Sequence, residues 1–124
     1  MKKMSWEYLG AFMDGEGCIV KNITHKYNPR MKKKYPCTTI RMEICNTDFD
    51  IMKDIFNFVK IGHLIDIKPR KKKDGTLGKP QIRWQTTHRQ SYAVLKKLLP
   101  YMREKNKIQK AKEVIKFYEE RDSE

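Results

Sequence analysis

The sequence predicts an α+β fold with the element order α-ββ-α-ββ-α-α and a four-stranded antiparallel sheet. Three observations carry this expectation. Residues 18–46 and 63–88 each contain two strand-like runs separated by a basic segment. Between them, Met52, Ile55, Phe56 and Val59 follow the i, i+3, i+4, i+7 spacing of an amphipathic helix. Apolar residues at helical spacing also precede the first pair of strands and follow the second.

Residues 5–13 are expected to be helical. Ser5 is a good N-cap, Glu7 suits the first turn, and Trp6, Leu9, Phe12 and Met13 are spaced for apolar contact. Residues 18–27 form the first strand and residues 28–36 a basic loop. In residues 37–46, Ile40, Met42 and Ile44 alternate with Thr39, Arg41 and Glu43, so one face is apolar and the other polar. Thr47 and Asp50 resemble a capping box for the next helix. The second hairpin runs through residues 63–70 and 81–88, with Asp74-Gly75 as a turn signal. In its first strand, Ile65 and Ile67 share one face and Asp66, Lys68 and Arg70 the other; the pattern leaves open which is buried. Trp84 is expected in the core. Tyr92, Leu95, Leu98 and Leu99 mark a helix stopped near Pro100, and Ile108, Ala111, Ile115 and Tyr118 mark a last one. Arg121 to Glu124 are expected to fray.

The 124 residues suggest a single domain over 1–124, large enough to bury roughly two-thirds of its unfolded surface. Lys2 and Lys3 are not followed by an apolar stretch, so no signal peptide is expected, and no run has the length of a membrane span. Cys18, Cys37 and Cys45 lack paired spacing and, with His25, His63 and His88, complete no zinc pattern. Reduced thiols in an intracellular protein are expected, whether in a prokaryotic or phage-host cytoplasm or in an organelle.

Charge points to a polyanion. The 28 Lys and Arg against 15 Asp and Glu leave a net +13, which favours nucleic acid over a membrane surface because no basic helix has a wide apolar face. Arg30, Lys32, Lys33, Lys34, Lys68, Arg70, Lys71, Lys72 and Lys73 cluster at the hairpin tips and their flanks. The polar strand faces carry candidate base readers: Asn22, Thr24, Lys26, Thr39, Arg41, Glu43, Arg83 and Gln85. β-Ribbons fit the DNA major groove and cations neutralise phosphates beside it. A solvated sheet face with basic tips is the alternative that pattern alone allows.

The most informative segment is LGAFMDGEG, residues 9–17. Asp14 and Glu16 stand near a helix C-terminus, where the macrodipole disfavours each acid by a few tenths to ~1 kcal/mol. Such acids need a compensating cation or donor. Gly15 and Gly17 would permit a turn that presents them, and hard oxygen donors suit a divalent ion shared with DNA phosphate. Gly10 and Ala11 would let a second helix approach closely, bringing two copies of Glu16 together.

LGAFMDGEG resembles the LAGLIDADG motif in its single-copy, homodimeric form, and the element order resembles the fold of that homing endonuclease family over about residues 4–118. The resemblance implies that the motif helices pair, with Leu9, Gly10, Ala11 and Met13 at the dimer interface. It implies that Glu16 binds the catalytic divalent ion (Mg²⁺ or Mn²⁺), that the Gly15 carbonyl is a further ligand, and that Asp14 is chiefly structural. In ICNTD, Asn46 matches a polar residue that positions solvent. In LLPYMREKNKIQKAK, Lys105 matches the pocket lysine, with Lys107 as the fallback. Two departures stand out: Leu9-Gly10-Ala11 inverts the usual small-residue order, and Glu replaces the commoner Asp at position 16. The implied activity is metal-dependent double-strand cleavage of a long pseudo-palindromic site, leaving 3′ overhangs. The competing expectations are an intron-encoded RNA maturase or a DNA-binding regulator of the same fold, and an unrelated basic RNA-binding protein.

Overall fold

The structure is a computed structural model that describes residues 3–123; Met1, Lys2 and Glu124 lie outside them. In chain order the elements are α1 (Trp6–Glu16), β1 (Gly17–Asn28), β2 (Lys33–Asn46), α2 (Phe49–Val59), β3 (His63–Ile67), β4 (Gln81–Thr87), α3 (Arg89–Leu98), a 3₁₀ turn (Leu99–Tyr101) and α4 (Lys105–Asp122). The predicted order α-ββ-α-ββ-α-α is therefore the observed one. The strands form one antiparallel sheet in the order β1-β2-β4-β3.

The alternation in β2 is realised as expected. Ile40, Met42 and Ile44 are fully buried, and across the ladder they join Ile19, Ile82 and Trp84 beneath the helices. Leu9 and Met13 from α1, Met52 and Ile55 from α2, Val94, Leu95 and Leu98 from α3, and Ala111, Val114 and Tyr118 from α4 close the core. Three polar side chains in the core are partnered: Thr86 Oγ1 and Ser91 Oγ lie 2.8 Å apart, and Trp84 Nε1 donates to the Ile61 carbonyl at 2.9 Å. Gly62 makes that last contact attainable. It has φ +100°, and a Cβ there would meet Gln85 O at 2.6 Å and Trp84 Nε1 at 2.9 Å. Trp84→Phe is expected to lower stability by roughly 1–3 kcal/mol, because it opens a void and strands the Ile61 carbonyl. Urea unfolding should show a lower midpoint with an unchanged slope.

Several boundaries differ from expectation. The α1 helix continues through Asp14-Gly15-Glu16 instead of ending at residue 13, and Gly17 has extended geometry (φ −86°, ψ 164°), so DGEG is no turn. Ser5 does cap it, accepting from Tyr8 N at 3.1 Å. The hairpin β1/β2 absorbs most of the expected basic loop, so that Lys33 and Lys34 are strand residues. Pro36 is tolerated because β2 pairs with β4 only from Arg41 onward and is an edge strand before it. The cap of α2 is Asp48, not Thr47; its carboxylate accepts from Ile51 N at 3.1 Å. The β3 strand stops at Ile67, two residues before Pro69. Arg121 and Asp122 are helical, and Arg89 holds the Asp122 carboxylate through both terminal nitrogens at 2.7 and 3.2 Å.

Candidate nucleic-acid interface and acidic helix end

Of the two acids at the end of α1, Asp14 finds the partners that the macrodipole requires. The Asp14 carboxylate accepts from the backbone N–H groups of Arg103 (2.8 Å) and Glu104 (3.1 Å). Lys107 Nζ donates to the Met13 and Asp14 carbonyls at 3.1 and 2.5 Å, placing a cation at the helix terminus. Glu104 in turn caps α4 by accepting from Asn106 N and Lys107 N. The result is a reciprocal latch between the end of α1 and the start of α4. Gly17 fits it tightly: a Cβ there would come within 2.7 Å of the Met13 carbonyl.

This latch leaves Glu16, the last residue of α1, exposed. Gly15 is exposed too, with open space where a Cβ would stand. Lys105 is the exposed first residue of α4, whereas Lys107 is half-buried and committed to the helix carbonyls. Asn46 ends β2, and its side-chain oxygen accepts from Asp48 N at 2.8 Å. A cleft of about 310 Å³ runs between the starts of β1 and α4, lined by Gly17, Cys18, Glu104, Asn106, Lys107 and Lys110. Sequence reasoning did not find Asn106 and Lys110 there. Neither matches a motif, and both are brought to the helix end by a contact spanning some ninety residues.

Four residues expected at a dimer interface behave differently from one another. Leu9 and Met13 are fully buried in the protomer's own core, and Gly10 is pressed against Tyr101 of the same chain. The Leu9 and Met13 side chains therefore face the protomer's own core, and Gly10 is buried against the same chain. Ala11 is exposed, and it shares the outer side of α1 with Glu7, Tyr8 and Gly15.

The sheet face opposite the core gathers the expected polar residues. By register, Asn22 lies opposite Thr39, Thr24 opposite Cys37, Lys26 opposite Tyr35, Val20 opposite Arg41, and Glu43 opposite Gln85. Arg83 joins them opposite Cys45. The same register settles β3. Ile65 pairs with Arg83 and Ile67 with Gln81, so the isoleucines lie on this polar face, while Asp66 and Leu64 lie on the helix side. The basic segments are not side by side. Arg30 and Lys32 sit in the β1/β2 turn, with Lys33 and Lys34 opening β2 beyond it. Residues 68–80 project from the opposite end, beside Asn46, because β4 starts where β2 finishes. There an open groove of about 560 Å³ brings Lys68, Arg70, Lys71 and Lys72 together with Arg83 and Cys45. Lys73 is exposed in the same loop, where Thr76 lowers the Asp74 pKa through a side-chain and a backbone hydrogen bond.

Glu43 sits between two arginines. Its Oε2 is 3.5 Å from Arg41 Nε and 3.5 Å from Arg83 Nε. Arg83 Nε also donates to Cys45 Sγ at 3.5 Å, and this contact, with the Glu43 charge, raises the Arg83 guanidinium above its ordinary value.

Among the described residues no three His, Cys, Asp or Glu side chains gather into a metal cluster. The Glu16 carboxylate and the Gly15 carbonyl are hard oxygen donors, which fit Mg²⁺ or Mn²⁺ and do not fit a thiophilic ion. A single carboxylate leaves most of an octahedral sphere to water and phosphate oxygen, as Mg²⁺ prefers.

Comparison with known proteins places these features in context. No curated protein sequence matches the chain. Among solved structures, it resembles the homing endonuclease I-CvuI in complex with the I-CreI target, at 24% identity and TM-score 0.63, covering 90% of this chain and 63% of that one. It resembles the group I intron-encoded homing endonuclease I-CeuI complexed with DNA, at 15% identity and TM-score 0.68, covering 99% of this chain and 58% of that one. It also resembles the homing endonuclease I-TnaI, at 18% identity and TM-score 0.58, covering 93% of this chain and 71% of that one. The chain thus spans under two-thirds of the length of I-CvuI and I-CeuI, and at these identities the likeness is one of fold. The family model for LAGLIDADG endonuclease matches residues 9–120, from the start of LGAFMDGEG to the last turns of α4, and the chain belongs to that family.

Proposed function

We propose that this chain is a site-specific homing endonuclease that acts as a homodimer on a long pseudo-palindromic double-stranded DNA site. Family membership supports a nuclease acting on DNA. The observation that carries the finer reading is the exposed Glu16 at the end of α1, where the neighbouring Asp14 is engaged by two backbone N–H groups. The protein binds Asp14 tightly and leaves Glu16 open beside a polar, cationic sheet face.

The chain's residues divide the work. Asn22, Thr24, Lys26, Thr39, Arg41, Arg83 and Gln85 meet the bases, and the cations at both ends of the sheet neutralise phosphates. Glu16 and the Gly15 carbonyl hold Mg²⁺ or Mn²⁺, Asn46 orients solvent, and Lys105 stabilises charge at the phosphate. When bound, the ion supplies Lewis-acid activation for phosphodiester hydrolysis. One such carboxylate per protomer serves one strand, so cutting both requires two copies. The exposed side of α1, with Tyr8, Ala11 and Gly15, supports their pairing there. The products are a double-strand break with 3′ overhangs.

The test is to incubate the protein with an intron-free copy of its host locus, with Mg²⁺ or with EDTA. Double-strand cleavage in Mg²⁺ alone is the expected outcome. Tight binding of structured RNA with no cleavage of any DNA would instead identify a maturase.

A further inference from the structure

We propose that Arg41 and Arg83 form a guanine-reading pair, and that Glu43 is the positioning residue holding both guanidinium groups ready for it. The proposal rests on the polar sheet face being a DNA interface.

A carboxylate on a surface that meets a polyanion weakens binding unless it has a specific task. One task is to accept from cytosine N4, which requires an exposed oxygen. Glu43 is poorly placed for that, because its Oε2 is closed to solvent. Its side chain is 17% exposed, against 42% for Arg41 and 34% for Arg83, and its Oε2 lies between their Nε atoms at 3.5 Å each. Oε2 and Arg41 Nε are both closed to solvent and neither makes a hydrogen bond among the described residues, so the ion pair is what holds them together.

Facing Nε is the relevant detail. A guanidinium has five N–H donors in a rigid fork. An ion pair on the Nε side biases the plane and leaves the terminal nitrogens free. Guanine presents two acceptors in the major groove, N7 and O6, that a fork can meet together. Arg83 is restrained twice, by the ion pair with Glu43 and by the hydrogen bond its Nε donates to Cys45 Sγ. Restraining both side chains before binding reduces the entropy lost on complex formation. Register places the cluster near the Glu16 end of the sheet: Glu43 lies opposite Cys18, two residues beyond Glu16. The guanines read should therefore fall toward the cleavage end of each half-site.

The experiment uses the full chain and a randomised double-stranded DNA library. Selected duplexes should carry guanines that, when replaced by 7-deazaguanine, weaken binding by roughly 5- to 100-fold each. Glu43→Gln keeps the shape and removes the charge. It should bind unselected DNA more tightly, yet lose most of the 7-deazaguanine penalty; Glu43→Asp should restore part of it. An equal penalty in wild type and Glu43→Gln overturns the positioning role. A penalty that follows N4-methylcytosine in wild type, and is absent with 7-deazaguanine, overturns it by making Glu43 a direct reader. Selection of no sequence at all sinks the DNA-interface reading itself.

Discussion

Replacing Glu16 by Gln is expected to abolish cleavage while leaving DNA binding intact or slightly tighter. The substitution keeps size and shape but removes the only carboxylate that the end of α1 exposes, since Asp14 is already committed to Arg103 N and Glu104 N. Removing an ionised ligand from a site that stabilises developing phosphate charge costs several kcal/mol, so cleavage should fall by roughly 10³-fold or more. Binding should not fall, because one fewer negative charge meets the phosphates. Glu16→Asp is the informative companion. It keeps the charge and shortens the reach by one methylene, so activity should persist with a shifted dependence on Mg²⁺ concentration. Cleavage rates across a metal titration, with gel-shift affinities in Ca²⁺, separate the outcomes. Full activity in Glu16→Gln would remove Glu16 from the site.

The contrast between Asp14 and Glu16 also shows where sequence reasoning reaches and where it stops. Two acids at a helix C-terminus demand a compensating cation or donor, and this much followed from the macrodipole. Which cation answered the demand did not. Lys107 lies far away in the chain, and only the packing of α4 against β1 and the 3₁₀ turn brings its ammonium to the Met13 and Asp14 carbonyls. Because that compensation exists, α1 runs on through Gly15 and Glu16 and no turn forms. Local alternation was legible wherever one face is buried: Ile40, Met42 and Ile44 behave as their spacing requires. It failed for residues 63–67, where Ile65 and Ile67 lie on the polar face of an edge strand and Asp66 on the helix side. Edge strands bury little on either face, so hydropathy carries little information there. Glu43 was legible as a residue on the polar face. Its position between Arg41 and Arg83 depends on cross-strand register, which no single strand encodes.

Gly10→Ala is expected to destabilise each protomer, and Ala11→Arg to separate protomers that remain folded. The neighbouring positions look equivalent in sequence, both being small residues on an apolar helix. The structure makes them opposites. A Cβ on Gly10 would stand 2.7 Å from Tyr101 Cβ and 2.8 Å from the Tyr101 carbonyl oxygen. Backbone atoms cannot rotate away, so α1 must lift from the 3₁₀ turn, at the strain of overpacking: roughly 1–3 kcal/mol. Better helix propensity returns up to ~1 kcal/mol of that. Because the 3₁₀ turn leads into Arg103 and Glu104, the shift should also loosen the Asp14 latch and reduce cleavage beyond the loss of folded protein. Urea unfolding at two protein concentrations resolves the two substitutions. For Gly10→Ala, the stability deficit should be the same at both concentrations, as befits a clash inside one chain. Ala11 is exposed, so Ala11→Arg should leave the protomer's secondary structure intact, yield a monomer by sedimentation with DNA present, and retain no double-strand cleavage. Should Gly10→Ala instead dissociate a dimer of stable protomers, the packing of α1 on Tyr101 would not be the contact that Gly10 serves.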